Sequence, residues 1–314
     1  MAALDGAPLV AVHGGAGSWK GLSLEEFKAV VRALEEAVYG GLSVSRSGDC
    51  VDMVVEAVAR LEDSGVFNAG LGSVLDYSGN MTMDAGIMAS NGRAGGVALV
   101  SYPRNPIKLA RIVMEKTPHV IIAGPWADEL ARRLGLEAHP GPSARALERW
   151  RKLKIDPSAS PWVESRVKAA RALGYDTVGA VASDGRGCLA AGVSTGGVAL
   201  KLPGRVGDSP IPGAGFYATP RIAVAATGIG ETIIMSMASL KLSEYYERIG
   251  DAGKASATLV EEHTRIWGQG TIGVIVVTGK AEVVAKYNTE AMPWAYARLG
   301  EKPAVNGLPN TMLL

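Results

Sequence analysis

The chain has 314 residues, 47% of them hydrophobic, with 32 Lys and Arg against 31 Asp and Glu. A formal net charge of +1 supplies no global field that would draw the protein to nucleic acid or an anionic membrane, so the expected partner is a small molecule. No stretch reaches the roughly 20 uncharged apolar residues of a membrane span, and the amino terminus, with Asp5, Pro8 and no basic start, does not read as a secretory signal. A soluble, cytoplasmic protein is expected.

Cys50 and Cys188 are the only cysteines. They fall in segments that read as a helix start and a strand, so a disulfide framework is not expected and a reducing cytoplasm fits. The histidines (His13, His119, His139 and His263) are scattered without metal-ligand spacing, which disfavours a zinc enzyme. Gln269 is the only glutamine, and scarcity of this thermolabile side chain points to a heat-adapted source. The length suits two domains at about 150 residues each, although one α/β domain often exceeds that size.

In chain order, PLVAVHGGAG begins as a strand. Apolar spacing from about Leu24 to Val38 and from about Val51 to Leu61 predicts two amphipathic helices. MTMDAGIMA and GGVALVSY follow as strand candidates, then a helix around Ile107 to Glu115, a strand at Val120 to Gly124 and a helix around Ala127 to Leu134. From His139 to Asp176 the composition shifts to Pro, Ser and cations, with at most two polar helical patches. This segment reads as an exposed linker.

Beyond it, TVGAVASDGRGCLAAGVST and TIGVIVVTGKAEVVAKYN read as hairpins with short Gly-containing turns. Their arms are nearly continuous apolar runs, so burial on both faces is expected. Helices from about Glu231 to Arg248 and Lys254 to Trp267 lie between them. Two stacked sheets with helices outside satisfy this pattern, giving a layered αββα sandwich of the α/β class.

Three threonines then draw together. Counting outward from the turn at Asp184 to Gly187 places Thr177 opposite Ser194 or Thr195. Thr227 ends the strand IAVAAT, and Gly228 and Gly230 follow it, where backbone could approach a ligand closely. In the loop KLPGRVGDSPIPGAG, Arg205 and Asp208 stand three residues apart. They could form an exposed structural ion pair of little energetic weight, or together clamp the α-carboxylate and α-ammonium of an amino acid. HGGAG lacks the Lys and Ser/Thr of a phosphate-binding loop. His13 is expected to pin that loop rather than take part in chemistry.

HGGAG (His13 to Gly17), LEDSGVFNAGLGSVL (Leu61 to Leu75), DTVGAVASD from Asp176, STGG from Ser194, GRVGDSPIPGAG from Gly204 and TGIGE from Thr227 together resemble the plant-type L-asparaginase and isoaspartyl peptidase family of N-terminal-nucleophile hydrolases. The resemblance implies one αββα domain over residues 1–314 that cuts itself between Asp176 and Thr177. The products would be an α subunit of residues 1–176 and a β subunit of residues 177–314. It implies Thr177 as nucleophile, Thr195 as its orienting partner, Asn68 as a hydrogen-bonding neighbour, and Thr227 with the Gly228 N–H as oxyanion hole. Arg205 and Asp208 would bind substrate, with Gly230 shaping the pocket. A sodium ion held by the main-chain carbonyls of Leu61, Glu62, Ser64, Phe67, Ala69 and Leu71 is also implied, with no organic cofactor and a dimer of αβ units.

The activity so implied is hydrolysis of L-asparagine and of β-aspartyl dipeptides. Asp176 departs from the Gly common before the nucleophile in asparaginase-type members and is similar to glycosylasparaginases. TGIGE and HGGAG, which lie near the pocket, favour the asparaginase branch. A glycosylasparaginase and a non-maturing amino-acid-binding protein are the two rival readings.

Overall fold

Strands β1 (Leu9–His13), β2 (Met83–Ala89), β5 (Val178–Ser183), β6 (Leu189–Thr195), β8 (Ile222–Gly228) and β9 (Ile272–Thr278) are buried at every position. Their Val, Ala and Ile runs lack outward polar alternation, as strands covered on both faces must. The structure, a computed structural model, describes residues 6–155 and 177–308. The remaining strands are β3 (Ala94–Val100), β4 (Ile121–Ala123), β7 (Phe216–Ala218), β10 (Val283–Tyr287), β11 (Trp294–Arg298) and β12 (Ala304–Asn306). Among the described residues, one sheet has the order β12-β11-β1-β5-β6-β2-β3-β4 and the other β10-β9-β8-β7. Neighbours are antiparallel except β3 and β4, whose parallel pairing requires a crossover. Helix α3 (Pro106–Lys116) supplies it.

Helices α1 (Leu24–Ser43) and α2 (Cys50–Asp63) each start at a reciprocal capping box, Ser23 with Glu26 and Asp49 with Asp52. These boxes satisfy amide donors that the first turn would otherwise leave unpaired. Helix α1 packs on β1 and β11, α2 on β5 and β6, and α3 on β2 and β3. On the opposite face of the large sheet, Val181, Leu189 and Val193 pack against Phe216, Ala223, Ala225, Ile275 and Val277 of the small sheet. Alternate residues of β8 and β9, Val224, Ala226, Val274 and Val276, turn the other way. They meet Ile233, Leu242, Tyr246 and Leu259 of α6 (Gly230–Ser236), α7 (Ala238–Ile249) and α8 (Ala252–Trp267).

The expected elements are present, with instructive differences. The helix predicted from Glu231 to Arg248 is two helices, broken at Met237, whose left-handed φ of 46° ends one and begins the other. In the second hairpin only β9 is buried throughout; β10 is an edge strand and half-exposed. Strand β11, absent from the sequence reading, pairs with β1 along its length. The first part of the expected exposed linker is the docked helix α5 (Ala144–Ile155). Ala146 is buried, and the Trp150 Nε1–H donates to the Asp76 carbonyl at 2.8 Å. Helix α4 (Pro125–Arg133) precedes it. Residues 156–176, Asp176 included, lie outside the described residues.

The expectation that no disulfide forms is overturned. Cys50 and Cys188 are bonded, with their Cα atoms 5.7 Å apart, inside the usual disulfide range. Helix α2 crosses β5 and β6, and that packing joins two residues 138 positions apart in sequence. No local pattern could have revealed the pairing.

Two glycines let the loop bearing Arg205 and Asp208 lie directly on the large sheet. A Cβ added at Gly86 would sit 2.1 Å from the Phe216 ring and 2.5 Å from the Ser209 carbonyl, and one at Gly96 would sit 2.3 Å from the Pro210 carbonyl. Gly86→Ala is therefore expected to destabilise the protein by about 1–3 kcal/mol through overpacking. Chemical denaturation measures this; an unchanged midpoint and slope would show that the loop does not bear on β2.

Candidate active site

Thr177 immediately precedes β5 and is 6% exposed. Val178 pairs with Ser194, so the next position outward sets Thr177 against Thr195 and resolves the choice that counting left open. The Thr195 hydroxyl accepts the Gly197 N–H at 2.9 Å, which turns the chain sharply at the end of β6. Thr177, Thr195, Arg205, Asp208, Gly228 and Gly230 line one small pocket together with Gly197 and Val198. Six predicted residues thus converge from the β5–β6 hairpin, the 205–215 loop and the β8–α6 junction.

Thr227 directly precedes Gly228 of the pocket wall, and Asn68 bonds the carbonyl of Gly197, another of its lining residues. The Thr227 hydroxyl, fully buried, accepts the Ala16 N–H at 3.2 Å and ties the HGGAG loop to β8. Its own hydrogen remains available to donate. Asn68 donates from Nδ2 to the Gly197 carbonyl at 2.6 Å and accepts the Val74 N–H at 2.9 Å through Oδ1. It holds the turn that follows Thr195 and lines a neighbouring cavity bounded by α1 and α5.

Arg205 and Asp208 do not pair with each other. Arg205 donates from Nε and Nη2 to the two carboxylate oxygens of Glu231 at 2.9 and 3.0 Å. Burial opposes the guanidinium charge, but the Glu231 bonds and charge more than offset it and hold the group protonated. Asp208 is 4% exposed, and its Oδ2 accepts no hydrogen bond among the described residues. Burial pushes its carboxyl up to about 7, with the Arg205 charge pulling in the opposite direction. A buried carboxylate with an unsatisfied oxygen is costly unless a cation meets it. Between the two side chains lies Gly230, where an added Cβ would sit 2.7 Å from Arg205 Nη2 and 3.0 Å from Asp208 Oδ1. At Gly228 (φ 142°) a Cβ would sit 2.2 Å from the Thr271 carbonyl.

Two residues that sequence reasoning left unassigned, Glu231 and Asp84, hold Arg205 and its loop, and a third, Lys201, is buried nearby. Glu231 follows Gly230 in TGIGE and grips Arg205 from outside the pocket. Asp84 accepts the Leu99 N–H at 2.8 Å and the Gly207 N–H at 3.2 Å, fastening the 205–215 loop to β2 and β3. Lys201 is buried and donates to the Thr82 carbonyl at 2.7 Å. Burial lowers its ammonium to about 8, against the opposing pull of Asp84. Glu231 could have been found as the acid inside a quoted motif; Asp84 and Lys201 depend on partners more than 100 residues away.

His13 is fully buried, and its Nε2 occupies space that Gly179 leaves open, 2.3 Å from where a Cβ would stand. Burial lowers its pKa to about 3, while the nearby Thr177 backbone pulls it upward. Such an imidazole is neutral and too weakly basic to take a hydroxyl proton near pH 7. The expectation that it serves structure agrees with this placement.

The loop after α2 offers main-chain oxygens. A Cβ at Gly70 would sit 2.6 Å from the Glu62 carbonyl, and one at Gly72 would sit 2.0 Å from the Phe67 carbonyl and 2.9 Å from that of Gly65. The carbonyls of Leu61, Phe67 and Ala69 each accept one bond, from the Ser64 hydroxyl and the Ala69 and Gly72 amides. Each keeps a second lone pair. The Glu62 side chain turns into the core, accepting the Ile107 N–H at 3.1 Å, and burial raises its carboxyl to about 8. Carbonyl oxygens at glycine-opened positions are donors suited to a hard cation.

Residues 6–306 match a protein-family profile described as asparaginase. A plant-type L-asparaginase of Pyrobaculum calidifontis is 48% identical, the match covering 92% of this chain and 97% of that protein. An isoaspartyl peptidase/L-asparaginase of Bos taurus is 39% identical over 94% of each chain. An isoaspartyl peptidase of Salmonella typhimurium is 36% identical, covering 94% and 96%. By both the profile and these relatives, the chain belongs to the asparaginase family.

Proposed function

We propose that this chain is a self-processing threonine amidohydrolase that converts L-asparagine to L-aspartate and ammonia and cleaves β-aspartyl dipeptides. The observation that carries this reading is the gathering of Thr177, Arg205 and an unpaired Asp208 carboxylate in one pocket. Family membership and the names of the relatives support the same activity. The architecture proposed is the four-layer αββα sandwich of N-terminal-nucleophile hydrolases, in which the central sheets carry the nucleophile at a strand end.

In the first step the Thr177 Oγ attacks the Asp176 carbonyl, and the peptide nitrogen leaves as an amine while an ester forms. Water hydrolyses the ester, giving an α subunit of residues 1–176 and a β subunit of residues 177–314. The freed Thr177 amine, with a reference pKa of about 7.7–8.0, is partly neutral at physiological pH and takes the hydroxyl proton. With His13 near 3, the amine is the base within reach.

Substrate enters as a zwitterion. Its α-ammonium meets the free Asp208 oxygen, and its α-carboxylate meets the guanidinium edge that Glu231 leaves open. Glu231 takes one N–H each from Nε and Nη2, so three of the five donors remain. The side-chain carbonyl then lies over Thr177. Attack by Oγ gives a tetrahedral oxyanion stabilised by the Thr227 hydroxyl and the Gly228 N–H, each such donor being worth about 3–4 kcal/mol. Expulsion of ammonia or an amino acid leaves a β-aspartyl ester, which water cleaves to release L-aspartate. Thr195 orients Thr177, and Asn68 fixes the turn behind Thr195.

No organic cofactor enters these steps. Sodium, where bound, would be held by the carbonyls of residues 61–71 and would stiffen the loop that carries Asn68. Two αβ units would form the assembly, which light scattering measures. No described helix is long and apolar enough to cross a membrane, and a cytoplasmic location belongs to this reading. The disulfide fits a heat-adapted source, in which intracellular proteins carry such bonds.

Release of ammonia from L-asparagine and of amino acid from a β-aspartyl dipeptide tests the activity; release from neither overturns it. Thr177→Ala is expected to abolish cutting and to lower turnover roughly a thousandfold or more. Reducing gels and an ammonia assay would reveal any retention of either. Because the Asp208 carboxyl ionises as pH rises through about 7, KM should fall between about pH 6 and 8. That trend should vanish in Asp208→Asn. In Glu231→Gln, removal of a negative charge that opposes Asp208 ionisation should move the KM transition to lower pH, with KM severalfold higher. A profile identical to the parent would exclude Glu231 from the clamp. Replacing sodium by tetramethylammonium is expected to lower the melting temperature; equal values in both salts would remove the ion from the reading.

A further inference from the structure

The bond between Cys50 and Cys188 takes no part in the chemistry above, yet its place in the chain gives it a role. Cys50 is the first residue of α2 and Cys188 immediately precedes β6. The break before Thr177 therefore falls inside the 138-residue span that the bond closes. We propose that the Cys50–Cys188 disulfide joins the two fragments of the matured protein into one covalent unit. The inference rests on the cut proposed above.

Packing around the bond suits a permanent junction. Cys50 is fully buried, and α2 lies across both strands of the β5–β6 hairpin. On the same hairpin turn, Arg186 donates from Nη2 to the Gly48 carbonyl at 2.7 Å, so two neighbouring links cross from the first fragment to the second. The chain has no third cysteine, so no other thiol of the same chain can exchange into the bond. The six residues of β5, at about 3.3 Å each, put the turn roughly 20 Å from Thr177. Hydrolysis there adds one water across the 176–177 amide and leaves the sulfur–sulfur bond intact.

The consequence is physical. Without a tether, unfolding after the cut would release two chains that must find each other again, and stability would depend on protein concentration. With it, the fragments remain at a high effective concentration, and refolding remains an intramolecular event.

The test uses the full chain, matured until mass spectrometry finds Thr177 at a new amino terminus. N-ethylmaleimide is present throughout denaturation, so that the buried Cys50, if a free thiol, is blocked as it becomes exposed. Without reductant the protein should run as one band with the mass of the full chain plus one water. A trialkylphosphine, which becomes its oxide while the disulfide gains two electrons and two protons, should split it into two. Cys188→Ser should give two bands without reductant. Should that variant fail to fold, phosphine treatment of the parent supplies the same comparison. Two bands from the parent without reductant, with both cysteines labelled by maleimide, would overturn the tether and leave the cut standing. One band under both conditions with an intact 176–177 peptide would overturn both.

Discussion

Strand β5 has hydrogen-bonded neighbours on both edges, β1 and β6, and packed side chains on both faces. Its register against β6 therefore cannot slip by one residue without moving every buried side chain to the wrong face. That constraint puts Thr177 opposite Thr195 and the Gly196–Gly197 turn that Asn68 holds. It also places His13 of β1 beside Gly179, where the absent side chain makes room for the ring. The position of Thr177, the proposed nucleophile, thus follows from a strand paired on both edges and packed on both faces, which is where a site needing sub-ångström placement belongs.

The proposed substrate clamp follows a different logic. Arg205 and Asp208 lie on an irregular loop, and loops acquire precision only from what they touch. Here the loop rests on Gly86 and Gly96, is bonded through Gly207 to Asp84, and has its guanidinium gripped by Glu231. The result is an asymmetric pair of charges: the guanidinium has a carboxylate partner in Glu231 and keeps open donors, while Asp208 Oδ2 has no hydrogen-bond partner among the described residues. An incoming ammonium would complete Asp208 and recover the desolvation cost that raises its pKa. In the proposed reading a zwitterion uses both halves, whereas an amine alone or a carboxylate alone would meet only one.

Much of the molecule was legible because its signals are local. The apolar runs of β5, β6 and β9 gave strands buried on both faces, and apolar spacing gave α1 and α2. The break at Met237 was not, because a single left-handed residue leaves no trace in apolar spacing. Neither was β11, since its half-buried alternation has meaning only once β1 is known to be its neighbour.

The amino-acid order by itself pointed to a mixed α/β plan, to a hairpin that sets Thr177 opposite Ser194 or Thr195, and to Arg205 and Asp208 as a possible clamp for an amino acid. The plan rests on apolar patterning along the chain, and the hairpin and the clamp on side-chain type and spacing within one hairpin or one loop; Gly228 and Gly230 join that clamp only through the family resemblance of TGIGE. Tertiary structure alone decided that Arg205 pairs with Glu231 rather than Asp208, that Thr227 holds Ala16, and that Cys50 bonds Cys188. The physical reason is distance along the chain. Partners 26, 211 and 138 residues apart meet only when helices and sheets have packed, and no periodicity in a one-dimensional string records which surfaces will touch.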